Sequence, residues 1–164
     1  GAHDNATGTA ATLEIARVLA GKTSDVEFVL FGGEELGLHG SRYYVSTASQ
    51  AKLDNMKLML NLDMVGEGAQ LLIGGGSPEG DPLAGVARNV ASELGYSSGS
   101  HNARGGDSDH APFAGAGVPA VFFFWGLDPC YHSACDTPDK IDPAAMQISG
   151  RVGVGLVLRA LAGS

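Results

Sequence analysis

Positive charge is scarce in this chain: 10 Lys and Arg stand against 18 Asp and Glu, for a formal net charge of −8 at pH 7. A protein that grips a phosphate backbone needs the opposite balance, so nucleic acid is excluded as a partner. Long hydrophobic runs are missing as well. The longest, residues 118–125, is interrupted by Pro119 and falls far short of the roughly 20 apolar residues of a membrane-spanning helix. We find no targeting motif, internal repeat, linker or low-complexity tract. Cysteine is nearly absent, with only Cys130 and Cys135. A bridge between them would close a small loop and hold Tyr131 and His132 in place. A soft metal site or two idle thiols are the alternatives, but no further thiols exist to complete such a site. We read the pair as a disulfide, which implies an oxidising, secreted or extracellular location.

What is present is a globular composition, with 44% hydrophobic and 17% charged residues over 164 positions. That length supports a single domain, residues 1–164, with a sizeable core. Thr7 or Thr9 is positioned to cap a helix whose apolar stripe is Leu13, Ala16 and Leu19, widened by Ile15 and Val18, with Gly21 as its stop. Residues 26–31 are β-branched and aromatic enough for an interior strand, and 57–62, 70–73 and 118–125 read as further strands, the last of them central. Short helical stretches are expected at 41–46 and after His110. Longer helices are expected at 82–94 and from Pro143 to Ala162. Alternating strands and helices predict a three-layer α/β/α sandwich with a mostly parallel or mixed central sheet.

The chemically loaded residues fall just after strands or in loops at one sheet edge. Glu34 and Glu35 follow the first strand across Gly32-Gly33, and Asp63 follows the second. Asp4, Asp109, His110, His132 and His3 complete the set. An isolated Glu-Glu pair is usually a solvated turn, but several acids and imidazoles arriving at one edge suit zinc, and a shared carboxylate can hold two ions roughly 3.5 to 4 Å apart. The bland readings are a helix cap for Asp4, a turn residue for Asp63 and an exposed loop histidine for His132. Asp109 and His110 read better as site-lining support than as ligands, and His39 and His101 as surface residues.

Five segments, 1–8, 31–37, 61–66, 108–113 and 131–137, resemble, in order, the motifs of the zinc aminopeptidases of peptidase family M28. The Cys-Tyr-His-Ser-Ala-Cys loop is most similar to that of the secreted Streptomyces-type members. The resemblance implies that Asp4 bridges two zinc ions, that Glu35 and His132 ligate one of them, and that Asp63 ligates the other. It further implies that Glu34 is the general base, that Tyr131 donates to the oxyanion, and that the Asp4–Asn5 peptide is cis. The expected substrates are peptides with a free N-terminus. Phe122 and Trp125, with the residues between them and the glycine-rich loops, would wall a side-chain pocket. Two departures stand out. The family's upstream His-x-Asp element, which carries its first zinc histidine, is not present. Either upstream chain is missing and His3 is a bystander, or a shortened loop makes His3 the replacement ligand. Where Streptomyces-type members tend to carry Arg before Ser-Asp-His, this chain has Asp107. An acid there would engage a free amine directly or alter side-chain preference. A related one-zinc acyltransferase of the glutaminyl cyclase type, or a noncatalytic relative, is the alternative.

Overall fold

The computed structural model describes residues 1–106 and 108–163. Asp107, the departure noted above, lies outside the described residues. The chain begins with a tight turn, Ala2–Ala6, and continues through α1 (Thr7–Leu19), α2 (His39–Thr47) and α3 (Gln50–Asn55). There follow β1 (Met59–Leu62), β2 (Leu71–Gly75), α4 (Asp81–Glu93), β3 (Ser98–Ser100), α5 (His110–Gly115), β4 (Ala120–Phe124) and α6 (Pro143–Ala162). The strands form one mixed sheet in the order β1-β4-β2-β3. β4 runs parallel to β1, with Met59 opposite Ala120, and antiparallel to β2, with Leu72 opposite Phe124.

β4 is interior because it is apolar on both faces. Successive side chains on a strand point to opposite sides. Val121 and Phe123 therefore join Ile15 of α1, Val90 of α4 and Leu156 of α6 in the main core. Phe122 turns the other way and stacks on His110 at 4.7 Å. On that second face Leu53, Phe113 and Val118 form a smaller core with Phe31, Tyr44 and Met59 packed against it. Helices thus cover both faces of the sheet, and the expected three-layer α/β sandwich is what forms. Alternation also corrects the pocket expectation. Phe123 is fully buried, and Trp125 is spent in the core with its indole N–H donating to Ser149 Oγ at 2.8 Å. Only Phe122 and Phe124 face away from the main core, and His101 leans on both rings, half-buried instead of lying free on the surface.

The largest correction concerns residues 26–31. They make no backbone ladder among the described residues, and Phe28 and Leu30 are 39% and 54% exposed. β propensity is realised only against a neighbouring strand, and among the described residues β1 pairs only with β4. A groove of about 870 Å³, lined by Val26, Phe28 and Val29 on one side and Leu58 and Leu60 on the other, separates the segment from β1. In α1 the buried face is Ala11, Ile15 and Leu19, so Ile15 and Leu19 of the expected stripe are in the core whereas Leu13 is exposed. Neither threonine caps that helix. Thr7 is buried, donating from Oγ1 to His3 O at 2.7 Å and accepting from Val65 N–H at 3.1 Å. At α6 the cap is Asp142, whose carboxylate accepts from Ala144 N–H at 2.8 Å, with Pro143 in the first turn.

Gly8 shows how tightly α1 is set against β1: a Cβ there would overlap the carbonyl oxygen of Leu62 and the side chain of Asn5. Backbone cannot yield as a flexible side chain does. Gly8→Ala should lower stability by about 1–3 kcal/mol, read as a lower urea midpoint at unchanged slope. An unchanged midpoint would show that α1 is free to shift.

Candidate metal centre

Asp4 sits in the opening turn, and the Asp4–Asn5 peptide is cis. Asn5 ties this turn to the end of β1. Its Oδ1 accepts from Gly8 N–H at 2.9 Å and Met64 N–H at 3.2 Å, and its Nδ2 donates to Leu62 O at 3.1 Å. Asp63 is fixed by the sheet, because its N–H donates to Phe123 O at 3.2 Å immediately after β1 ends. One of its oxygens accepts from Ser108 Oγ at 2.6 Å, and Ser108 in turn accepts from Asn61 Nδ2 at 2.7 Å.

Glu34 and Glu35 are placed by a turn. Gly33 adopts a φ of 72°, Gly37 and Leu38 donate to Glu34 O at 3.0 and 2.8 Å, and His39 donates to Gly33 O at 3.1 Å. The pair is thus delivered by the lead-in to α2, not by a strand end. His132 lies in the loop closed by the Cys130–Cys135 disulfide. Its ring stacks on Tyr131 at 3.8 Å, and its Nε2 stands 3.2 Å from Asp4 Oδ2 and 3.1 Å from Glu35.

Asp4, Glu35 and His132 each offer a donor atom, and these atoms all lie within 4.8 Å of one another. They open on a cavity of about 310 Å³ that also touches Asp136. The larger groove beside residues 26–31 carries none of this chemistry. Asp63 and Glu34 stand beside the triad, close enough for their charges to interact with it. His3 does not join. It is fully buried, its Nδ1 accepts from Gly66 N–H at 3.4 Å, and its Nε2 lies 3.5 Å from Gly126 O and 4.0 Å from Asp128. His110 is also committed, with Nε2 on Ala103 O at 2.8 Å, and burial lowers its pKa. Asn5, Asn61 and Ser108 carried no assigned role in the sequence, since an amide or hydroxyl that orients a carboxylate leaves no local pattern.

Electrostatics decide what this site wants. Burial, and then the charges of Asp63 and Glu35, push Glu34 up to about 7. Burial outweighs the Ser108 hydrogen bond and lifts Asp63 to about 6. Asp4 is raised by burial and by Glu35. The lysine and arginine ion pairs of the described residues go elsewhere, to Glu14, Glu27, Asp81 and Glu93. Among the described residues, Asp63 Oδ1 is buried with no hydrogen-bond partner, as are Asp109 Oδ1 and Asp128 Oδ2. Crowded carboxylates, one imidazole and an orphaned oxygen fit a divalent cation that accepts oxygen and nitrogen ligands, such as zinc.

Comparison with known proteins shows which family this fold and cluster belong to. The model of peptidase family M28 matches residues 1–157. Aminopeptidase YwaD of Bacillus subtilis is 36% identical over 173 residues, covering 98% of this chain and 38% of that protein. Leupeptin-inactivating enzyme 1 of Streptomyces exfoliatus is 33% identical, covering 89% of this chain and 38% of that protein. The structure of BSAP, a zinc aminopeptidase from Bacillus subtilis, superposes with a TM-score of 0.88 at 36% identity, over 98% of this chain and 42% of that one. The chain belongs to peptidase family M28. It spans about two fifths of the length of these relatives.

The raised pKa of Glu34 gives a signed prediction for the metal-free chain. A carboxyl that holds its proton more tightly when folded contributes stability that is fully present below its ordinary value of 4.5 and is lost as pH rises through about 7. Glu34→Gln has no such group. In EDTA its Tm should therefore gain on that of the parent between pH 5 and pH 8, and a difference that stays constant with pH would refute the assignment.

Proposed function

We propose that this chain is a single catalytic domain of a zinc-dependent aminopeptidase that removes N-terminal residues from peptides. The observation that carries the reading is the convergence of Asp4, Glu35 and His132 donor atoms within 4.8 Å, with Glu34 beside them at a pKa of about 7. Asp4, Glu35 and His132 would hold one zinc ion, and Asp63 together with Asp4 a second. Bound there, zinc supplies Lewis acidity toward the scissile carbonyl and the attacking water.

The proton work belongs to Glu34. As a carboxylate beside the ligands, it would take a proton from the attacking water and return it to the leaving amine. Tyr131, 40% exposed and stacked on His132, would donate its phenol to the oxyanion of the tetrahedral intermediate. Its own pKa is raised by burial and by Asp4, Glu35 and Glu34, so it keeps its proton for donation. The acidic rim and the net charge of −8 attract the ammonium of a free N-terminus. The disulfide favours a secreted or extracellular setting. No helix among the described residues is long and apolar enough to cross a membrane.

The test is Glu34→Gln in the zinc-loaded protein, assayed on leucine p-nitroanilide with zinc measured in the same sample. Zinc content should stay at the parent level while kcat falls by roughly 10²–10⁴-fold. Activity near the parent level would remove Glu34 from the role of base. One zinc per parent chain instead of two would favour the acyltransferase arrangement.

A further inference from the structure

We propose that Asp136 is a positioning residue that holds Asp4 in register with His132, an inference that rests on the metal site proposed above. Asp4 and His132 come from opposite ends of the chain and must meet within hydrogen-bond distance. The sheet fixes neither of them. Asp4 lies in a short turn and His132 in a disulfide loop, so some contact has to join the two segments.

Asp136 makes that contact with both of its oxygens. Its carboxylate is 4% exposed. Oδ1 accepts from the His3 N–H at 2.6 Å and Oδ2 from the Asp4 N–H at 3.0 Å. Its own carbonyl accepts from Ala2 N–H at 3.2 Å, and its own N–H donates to Ser133 O at 3.2 Å. One residue therefore grips consecutive amides of the opening turn while anchored to the residue that follows His132. Asn5 performs the matching task on the other side by tying the same turn to the end of β1, where Asp63 sits. Asp4 is thus located between two supports.

The carboxylate of Asp136 is suited to this work, because each of its two oxygens accepts from one of two consecutive N–H groups. Asparagine at this position would keep one acceptor and set an NH₂ group against the other amide. A buried donor would then be left unpaired, and the turn would move to relieve it.

Partners that orient metal ligands typically cost about 10–100-fold in metal affinity when removed. Zinc chloride is titrated calorimetrically into metal-stripped parent, Asp136→Asn and Asp142→Ala. The last removes the α6 cap and destabilises the fold away from the site. Asp136→Asn should weaken zinc binding by about 10–100-fold and lower kcat more than it changes KM. Asp142→Ala should lower Tm while binding zinc like the parent. Should Asp136→Asn fail to fold, Asp136→Glu restores both acceptors on a longer stem, and it should fold while still binding zinc more weakly than the parent. Parent-like affinity in the folded Asp136 variant overturns the inference, as does an equal loss in Asp142→Ala. A parent that binds no zinc overturns the metal reading itself.

Discussion

Five carboxylates, those of Asp4, Glu34, Glu35, Asp63 and Asp109, crowd one end of the sheet, and the imidazole of His132 meets two of them, Asp4 and Glu35. Like charges so placed cannot all ionise without a cation, and no arginine or lysine of the described ion pairs reaches them. Much else in the structure serves this arrangement. The β1–β4 ladder sets Asp63, Asn5 fastens the Asp4 turn to that ladder, and the disulfide loop brings in His132. Burial, reinforced by the same repulsion, lifts Glu34 to about 7 in the metal-free chain.

The site is built from segments of very different rigidity. Asp63 inherits the order of the sheet, and its second oxygen is fixed by Ser108 and Asn61. Asp4 and His132 depend on loops, held by side-chain hydrogen bonds and a covalent closure. Asp4 and Glu35 both meet the His132 ring, so displacement of either loop would separate the donors. Affinity for the ion and stability of the loops are therefore linked, because a cation bound only by the folded arrangement stabilises it.

How much of this could be read beforehand differs residue by residue. Asp63 was legible because strand β1 is apolar and ends where the acid begins. The closing helix Pro143–Ala162 was legible because its start carries Asp142 and Pro143, both signals with a local mechanism. Residues 26–31 have the composition of a strand, but pairing is a tertiary matter, and their neighbour is a groove instead of β1. Strand β3 shows the converse: Ser98, Gly99 and Ser100 have little β propensity, yet they extend because Leu71, Leu72 and Ile73 offer an edge. The acids and His132 could be gathered from their order along the chain. The fate of His3 could not, because its buried place against Gly66, Gly126 and Asp128 is set by backbone groups distant in sequence.

The central claim is that this acidic cluster exists to hold metal, and diffraction from crystals soaked in zinc chloride, with data on both sides of the zinc absorption edge, tests it most directly. The account predicts an anomalous peak bounded by Asp4, Glu35 and His132, with Asp63 facing a second. Crystals in which the cluster stays empty while zinc collects only at surface histidines such as His39 would contradict it.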